Sequence, residues 1–285
     1  MVREGDRPRS GPPTPSQQIA ERAREAGFDA RGFPRRWEKI GDVLVLKLPP
    51  SLDVPREALA ALYATVLDAK TVVEDVGGVQ GPWRLPKVRW LWGGGTETVH
   101  IEDGVRFALD VAKVMFSSGN LPERIRMGRL PGTGEVVVDL FAGIGYFSVP
   151  MAVHSKAARI VACEANPVAF HYLEETLRIN RVTCVETRLG DCRDAAPTGI
   201  ADRIVMGHFD AADFLDVAFR AAKGRATIHL HGLVGPRHPA SEFERRFDEE
   251  ARRNGFDAIS RRLRRVKSHG RKVWHVVLDA DVRRV

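Results

Sequence analysis

The sequence predicts an α/β fold in which a doubly wound, mostly parallel sheet follows a small α+β domain. From Glu135 onward, apolar strand-like runs alternate with helical stretches, which is the pattern of successive βαβ units. Before that point, residues 37–110 carry shorter strand patterns around one amphipathic helix. The length of 285 residues and the 44% hydrophobic content suit one large domain with a smaller one attached.

The chain is expected to divide into three segments, at residues 1–20, 21–110 and 111–285. The first is rich in Pro, Gly, Ser and Arg, and it has too few apolar residues to offset the entropy of ordering, so we expect it to be flexible. In the second, the alternating segment WEKIGDVLVLKLPP predicts a strand, and the helix after it has an apolar stripe. The stripe consists of Leu59, Leu62, Tyr63, Val66 and Leu67.

The third segment carries the strands of the predicted parallel sheet, with helical patterns between them. These strands are Glu135–Phe141, Arg159–Glu164, Cys184–Leu189, Asp202–Met206 and Ala226–His231. Two further strands, Ala258–Val266 and Val273–Leu278, are long enough to pair antiparallel through the basic turn Lys267–Lys272.

Basic residues outnumber acidic ones by 44 to 37, which gives a net charge of +7. This balance favours a polyanionic partner such as nucleic acid, although a merely basic, soluble surface explains it equally well. A local cluster near the C-terminus favours nucleic acid. Its members are Arg261, Arg262, Arg264, Arg265, Lys267, Arg271 and Lys272.

The sequence disfavours membrane proteins, secreted proteins and metal-binding proteins. No apolar run approaches the roughly 20 residues needed to cross a bilayer, and the N-terminus lacks the apolar region of a signal peptide. We therefore expect a cytoplasmic protein with no membrane partner. Cys163, Cys184 and Cys192 show neither CxxC nor CxxH spacing, which predicts reduced thiols and no metal site.

The segment VVVDLFAGIGYFSVP places Asp139 at the end of an apolar strand, followed by a turn that contains Gly143 and Gly145. Small residues in such a turn let the backbone approach a ligand closely. The third glycine of the dinucleotide fingerprint is absent, because Ser148 stands at its position. A cofactor with a pyrophosphate is therefore disfavoured.

Two later strand ends add to the glycine turn. Glu164 ends the next strand about 20 residues beyond the glycines, where a carboxylate can accept both hydroxyls of a ribose. Asp191 and Cys192 follow the third strand, beside the position that an adenine would take. Three features in this order are more informative than a single glycine-rich turn.

Just upstream, the segment MFSSGNLPERIRMGRL begins as a loop and continues as a helix. Asn120 is the expected N-cap, with Glu123 three residues on as its capping-box partner. Arg124 and Arg126 then lie in the first turns of that helix. The arginines are either simply exposed or directed toward the glycine turn, which the loop precedes.

This combination resembles the class I S-adenosylmethionine-dependent methyltransferase superfamily over about residues 115–285. The resemblance implies a Rossmann-type class I methyltransferase fold. It also implies that Asp139 and the glycine turn lie near the methionine part of S-adenosylmethionine, that Glu164 binds the ribose, and that Asp191 and Cys192 lie at the adenine.

Within that superfamily, MFSSGN followed by ER, then DLFAGIGYF and ACEANP, resemble the tRNA wybutosine-synthesis aminocarboxypropyltransferases of archaeal type. The match runs from Arg35 to Asp281 and includes RRWEKIGDVLVLKLP and KVWHVVLDADV. The resemblance implies transfer of the 3-amino-3-carboxypropyl group of S-adenosylmethionine to a tricyclic guanosine derivative, 4-demethylwyosine, beside the anticodon of tRNA(Phe). Ser117 and Arg124 are the implied ligands of the cofactor's amino acid tail, with Arg124 offering a planar fork to its carboxylate.

Two other functions remain open at this point. The sister enzymes are archaeal-type tRNA guanine-N1 methyltransferases, but the Asn-containing motif common in methyltransferases of ring nitrogens is replaced by Met206, Gly207, His208 and Phe209. A catalytically silent tRNA-binding protein is the other alternative, which the intact glycine turn and Glu164 disfavour. No general base is assigned: His208 and His231 end two strands, and lone histidines are more often structural.

Overall fold

A computed structural model describes residues 12–81 and 83–285 of the chain. The backbone divides into two compact units: the first comprises Met1–Val99 and Asp110–Phe116, and the second comprises His100–Leu109 and Ser117–Val285. The second unit thus takes residues 100–109 from the segment that the sequence assigned to the small domain. Each unit is described separately below.

The first unit is a four-stranded sheet with two helices. Its elements are α1 (Pro15–Glu25), β1 (Trp37–Ile40), β2 (Val43–Leu46), α2 (Arg56–Leu67), β3 (Thr71–Gln80) and β4 (Leu85–Gly93). The strands lie in chain order, with an antiparallel pair at each edge and β2 parallel to β3. Leu59 and Tyr63 of α2 are fully buried in its core, and the Tyr63 hydroxyl donates to the Pro34 carbonyl at 2.6 Å. The predicted apolar stripe is confirmed.

Helix α1 corrects one expectation. The sequence predicted flexibility for residues 1–20, but residues 15–20 belong to α1. Thr14 and Gln17 form a capping box at its start, and Ile19 and Ala23 are buried in the core of the first unit. Two apolar residues four apart were enough to anchor a short amphipathic helix. The earlier part of the expected flexible segment, residues 1–11, lies outside the described residues.

Strands β5 (Glu97–Glu102) and β6 (Val105–Asp110) form a two-stranded hairpin that spans the division between the units. The second unit then contains a seven-stranded sheet. Its strands are β7 (Val136–Asp139), β8 (Arg159–Glu164), β9 (Val185–Leu189), β10 (Ala201–Met206), β11 (Ala222–Val234), β12 (Phe256–Gly270) and β13 (Val273–Arg284). The spatial order is β12-β13-β11-β10-β7-β8-β9. Strands β7 to β11 are parallel to one another, and β13 is antiparallel to β11 and β12.

Helices cover both faces of this sheet, which confirms the predicted doubly wound fold. They are α3 (Leu121–Gly128), α4 (Ser148–His154), α5 (Pro167–Ile179), α6 (Cys192–Ala195), α7 (Leu215–Ala221) and α8 (Ala240–Arg253). Adjacent residues of β7 belong to different apolar clusters: Val137 belongs to the cluster that contains Met127 of α3, and Val138 belongs to the cluster that contains Phe219 of α7. Within the described ranges, no helix is both long and apolar enough to cross a membrane.

Candidate functional site

The site lies where the strand order of the large sheet reverses. Strand β7 is flanked by β8 on one side and β10 on the other, so the chain proceeds outward in both directions from this point. In open α/β sheets, ligands bind in the crevice that forms at the carboxyl ends of the strands there. The glycine turn, Glu164 and Asp191 all follow such strand ends.

The turn after β7 requires glycine at two positions. Gly143 has φ +57°, and a Cβ there would lie 2.4 Å from Cε2 of Tyr146. Gly145 has φ +92°, and a Cβ there would lie 2.5 Å from Cγ2 of Val149. Side chains at these positions would be both strained and sterically blocked. Only glycine therefore fits at these two positions, where Tyr146 and Val149 pack directly against the backbone of the turn.

Glu164 fastens the glycine turn to the end of β8. Its Oε2 accepts the backbone N–H of Gly143 at 2.7 Å, and its Oε1 accepts the N–H of Asn166 at 2.8 Å. Burial raises the pKa of Glu164, and the two N–H donors oppose that shift. Each carboxylate oxygen retains lone-pair capacity for a second donor, as ribose hydroxyls require.

Asp139 lies directly beneath the glycine turn, and its predicted place near the methionine part of the cofactor stays a prediction. It is fully buried beneath the turn, where Oδ2 accepts the Ser148 hydroxyl at 2.7 Å and Oδ1 accepts the Phe141 N–H at 3.3 Å. Burial raises the pKa of Asp139 to about 6. The side chain thus joins β7 to α4 and supports the turn from below. Ser148, which replaces the third glycine of the dinucleotide fingerprint, is its hydrogen-bond partner.

Asp191 and Cys192 begin helix α6. The N–H of Gly190 donates to the Glu164 carbonyl at 2.9 Å, so the end of β9 is joined to the end of β8. The Asp191 carboxylate caps α6 by accepting the Arg193 N–H at 2.9 Å, and the Arg193 guanidinium lowers its pKa. The Cys192 thiol is buried, which raises its pKa to about 12 and makes it a neutral apolar surface.

Arg124, the predicted ligand of the cofactor's carboxylate, is buried and paired with an acidic residue. The side chain is only 3% exposed, and its Nε donates to Oε2 of Glu102 at 2.6 Å. One terminal nitrogen donates to the Ser117 carbonyl at 3.0 Å. This edge of the guanidinium therefore holds the Ser117 loop, and the contact of Arg124 with the cofactor's carboxylate stays a prediction. Sequence reasoning missed Glu102, whose hairpin position gave no signal.

The predicted capping box of α3 is wrong. Asn120 is the N-cap residue, but its side chain makes no capping hydrogen bond. Glu123 instead accepts Nε and one terminal nitrogen of Arg126, at 2.9 and 2.6 Å. A charge-assisted, two-point pair with an arginine is stronger than a hydrogen bond to a neutral backbone N–H.

The structure brings Ser117 together with a residue from the distant hairpin β12–β13. Nζ of Lys267 donates to the Ser117 hydroxyl oxygen at 2.6 Å. The same ammonium lies beside Gly119, where an added Cβ would be 3.3 Å from Nζ. Lys267 was expected in a turn that contacts nucleic acid, but it lies within β12 and against the predicted cofactor loop.

The other cations of the basic cluster do not form one continuous exposed surface, because some of them contact neighbouring side chains. Arg261 donates to Asp248 at 2.8 Å, Arg264 donates to Asp279 at 2.8 Å, and the Arg265 guanidinium lies 4.9 Å from the centre of the Trp274 ring. The remaining members of the cluster are exposed: Arg262, Arg271 and Lys272.

Asp279 is the centre of a largely buried polar cluster that the sequence did not predict. It accepts Nδ1 of His229 at 2.6 Å and two nitrogens of Arg126 at 2.9 and 3.1 Å, in addition to Arg264. Burial alone would raise the pKa of Asp279, but His229 and Arg126 outweigh it and hold the pKa well below its usual range. This cluster fixes α3 against β11, β12 and β13.

Both histidines considered earlier pack against other rings, and no general base is assigned to either. His208 stacks on Phe141 with ring centres 5.6 Å apart, and its Nδ1 accepts the N–H of Asp210 at 3.2 Å. His231 is buried, and its Nδ1 lies 3.0 Å from Nε2 of His275. Burial lowers the pKa of His231 well below its ordinary value, so that ring is neutral at pH 7.

The three cysteines are free thiols. Among residues 12–81 and 83–285, no group of three or more His, Cys, Asp or Glu side chains could hold a metal ion.

The donor set fits the adenosine part of S-adenosylmethionine. Beside the glycine turn, Glu164 offers a carboxylate for hydroxyls, and the neutral Cys192 offers an apolar contact for a base. The contacts between β8 and β9 hold these groups at one edge of the sheet.

Comparison with known proteins agrees with this geometry. A protein-family model described as the TRM5/TYW2 methyltransferase domain matches residues 98–259, and one described as the TYW2 N-terminal domain matches residues 29–96. A protein of Pyrococcus horikoshii named tRNA(Phe) (4-demethylwyosine(37)-C(7)) aminocarboxypropyltransferase is 41% identical over 259 residues, which cover 88% of this chain and 90% of the relative.

Comparison with solved structures also finds similarity to TYW2 proteins. The crystal structure of P. horikoshii TYW2 in complex with MeSAdo has a TM-score of 0.84 and 36% identity, covering 95% of this chain and 100% of that one. The crystal structure of M. jannaschii TYW2 in complex with AdoMet has a TM-score of 0.74 and 35% identity, covering 88% and 100%. The chain therefore belongs to the TRM5/TYW2 family and, within it, to the tRNA wybutosine-synthesis aminocarboxypropyltransferases of archaeal type.

Proposed function

We propose that this enzyme transfers the 3-amino-3-carboxypropyl group from S-adenosylmethionine to 4-demethylwyosine beside the anticodon of tRNA(Phe), and that it releases methylthioadenosine. The observation that carries this proposal is the 41% identity, across 88% of the chain, to a relative named for that reaction. The family model alone covers both aminocarboxypropyl and methyl transfer, so the relative is what favours the first.

The choice of S-adenosylmethionine is supported by two structures of relatives, one in complex with AdoMet and one with MeSAdo. MeSAdo, methylthioadenosine, is what remains of S-adenosylmethionine after the aminocarboxypropyl group has left. In this chain, Glu164 would accept the ribose hydroxyls, the backbone at Gly143 and Gly145 would lie along the cofactor, and Asp191 and Cys192 would lie at the adenine. Asp139 supports the turn.

When bound, the cofactor supplies a sulfonium whose attached carbons are electrophilic. The side chains of this protein then determine which carbon faces the acceptor, and positioning of this kind carries much of the rate of such displacements. Ser117 would hold the amino acid tail, and Arg124 would keep the Ser117 loop in place through Glu102 and the Ser117 carbonyl. A carbon–carbon bond forms at C7 of the acceptor, the carbon–sulfur bond breaks toward sulfur, and C7 loses one proton.

A labelling experiment tests the proposal. S-adenosylmethionine labelled separately on the methyl and on the carboxyl carbon is incubated with tRNA(Phe) that carries 4-demethylwyosine. We expect the tRNA to acquire the carboxyl label alone, with methylthioadenosine in equal amount. Methyl label with S-adenosylhomocysteine would identify a guanine-N1 type methyltransferase, and tRNA binding without either label would identify a non-catalytic protein.

The tRNA substrate implies a cytoplasmic reaction. The exposed cations Arg262, Arg271 and Lys272 would contribute phosphate contacts, because cations on an exposed hairpin can release counterions from the tRNA backbone. The acceptor base would be presented at the carboxyl ends of β10 and β11.

A further inference from the structure

The β3–β4 hairpin of the first unit exposes two tryptophans. Trp83 lies at its turn and is 53% exposed, and Trp90 lies on β4 and is 56% exposed. Val79 and Leu85, on the two strands next to the turn, are exposed as well. Tryptophan side chains are highly buried on average, so two that are more than half exposed on one hairpin indicate a surface that a partner covers.

The charged residues of this segment are all cations. Residues 76–90 contain Arg84, Lys87 and Arg89 and no acidic residue. Lys87 and Arg89 are exposed on β4. The distance from Arg89 to the Glu74 carboxylate is 3.8 Å, which is longer than a hydrogen bond, and the Arg89 side chain is 58% exposed. Its guanidinium is therefore accessible from solvent.

The two carboxylates just before this segment are both engaged. Glu74 is buried and accepts from the Arg56 guanidinium at 2.5 Å. Oδ1 of Asp75 accepts the backbone N–H groups of Gly77 and Gly78 at 3.1 and 2.6 Å. The electrostatic potential beside the exposed tryptophans is thus set mainly by cations, which favours an anionic partner.

The backbone of β4 is poorly suited to a protein partner that binds by adding a strand. The pairing of β4 with β3 is irregular in two places, between Val72 and Val73 and between Asp75 and Val79. Pro86 has no N–H to donate to an added strand. A partner would therefore recognise the exposed side chains of the hairpin rather than its backbone.

We propose that the β3–β4 hairpin binds tRNA, with Trp83 and Trp90 stacking on unpaired bases and with Lys87 and Arg89 contacting phosphates. Aromatic rings interleaved with cations are typical of proteins that bind unpaired nucleotides, because every base has a face that can stack. The inference rests on the proposed tRNA substrate. It adds a contact surface on the first unit to the cations of the hairpin β12–β13.

Two of these side chains are ordered by contacts within the hairpin region. Nε1 of Trp90 donates to the Gly94 carbonyl at 3.2 Å, which fixes one edge of the indole ring. The stem of Lys87 lies across Gly77, where an added Cβ would be 2.9 Å from Cδ of the lysine. Side chains that are ordered before binding lose less conformational entropy when they bind.

The test measures binding of full-length variants to tRNA(Phe) that carries 4-demethylwyosine, by fluorescence anisotropy at several salt concentrations. Four hairpin variants are compared with wild type: Trp83→Ala, Trp90→Ala, Trp90→Phe and the double variant Lys87→Gln/Arg89→Gln. The matched control is Arg22→Gln/Arg24→Gln, which removes two exposed cations from α1 of the same unit. S-adenosylmethionine binding and urea unfolding are measured for every variant.

We expect each Trp→Ala variant to bind tRNA about 5- to 150-fold more weakly, the range expected when a base no longer stacks on an aromatic ring. Trp90→Phe should lose less, because a phenyl ring can still stack. Lys87→Gln/Arg89→Gln should flatten the log–log dependence of tRNA affinity on salt by about 0.7–0.9 for each phosphate lost. The control should keep the wild-type slope, and S-adenosylmethionine binding should stay unchanged throughout.

Wild-type tRNA affinity in both Trp→Ala variants would overturn the proposal. Equal losses in Trp90→Ala and Trp90→Phe, with a lower free energy of unfolding, would overturn it in favour of a structural role. The same slope change in the Arg22→Gln/Arg24→Gln control would replace it with a generally basic surface. Self-association of the wild type that Trp90→Ala abolishes, with tRNA affinity unchanged, would identify a second copy of the chain as the partner. A wild type that binds no tRNA would contradict the proposed function as well.

Discussion

Replacement of Asp139 by Asn should stabilise the protein at neutral pH and have a smaller effect in acid. Asp139 is fully buried, and its pKa in the folded state is about 6 compared with 3.8 for an unperturbed Asp. An amide can keep the bonds to the Phe141 N–H, through its oxygen, and to the Ser148 hydroxyl, through its nitrogen, and any change at the Ser148 backbone N–H adds the same amount at every pH. What the substitution removes is the cost of burying a negative charge.

The size of the change in unfolding free energy follows from the linkage between protonation of Asp139 and folding. The folded pKa is raised, so the contribution of Asp139 to stability is fully present below about pH 4 and is lost as pH rises through about 6. Each pKa unit corresponds to about 1.4 kcal/mol, which gives a total loss of about 3 kcal/mol. Between pH 4.5 and 8, the loss is about 2 kcal/mol. Asp139→Asn should therefore gain about 2 kcal/mol over wild type across that interval.

The assay is urea unfolding of wild type and variant at pH 4.5 and pH 8 without ligand. Asp191→Asn is the control, because Arg193 lowers the pKa of Asp191 and its titration lies below this interval. The Asp191 variant should differ from wild type by the same amount at both pH values. A difference for Asp139→Asn that also stays constant from pH 4.5 to 8 would refute the reasoning.

Two further predictions concern ligands. Glu164→Ala should raise the dissociation constant of S-adenosylmethionine at least tenfold, because charge-assisted hydrogen bonds of this kind are worth about 1.5–3 kcal/mol; unchanged affinity in calorimetry would remove Glu164 from the site. Charge reversal at the exposed Arg262, Arg271 and Lys272 should weaken tRNA binding and leave cofactor binding unchanged. The log–log dependence of tRNA affinity on salt should flatten by about 0.7–0.9 for each phosphate that is no longer neutralised, and a wild-type slope in the triple variant would show that these cations do not touch tRNA.

The sequence was informative wherever a local pattern determines structure. The alternation of apolar strands with helices predicted the sheet of the second unit, and the spacing of Gly143, Gly145 and Glu164 predicted features that meet at one edge of it. Strand ends were less accurate: β11 runs over Ala222–Val234, well beyond the predicted Ala226–His231, because pairing with β13 extends it at both ends.

The parts that could not be predicted depend on interactions between distant residues. The hydrogen bond from Lys267 to Ser117 requires the bulge at Val266, and no composition or periodicity signals a bulge at that position. The burial of Arg124 depends on Glu102, which lies on a hairpin that looked like part of another domain. A pattern of residue types pointed to the loop around Ser117 but could not tell that Lys267 contacts it.

Strand β12 has a consequence for solubility. It is 15 residues long and forms one edge of the seven-stranded sheet, so its outer backbone groups are a template on which another chain could form an additional strand. Proteins prevent this with edge charges and with bulges that break a regular ladder. β12 has both: register irregularities at three places, and cationic side chains on each of its faces. The arginines of this strand therefore also keep copies of the enzyme from joining edge to edge, and neutralising them should promote aggregation even where tRNA binding is unaffected.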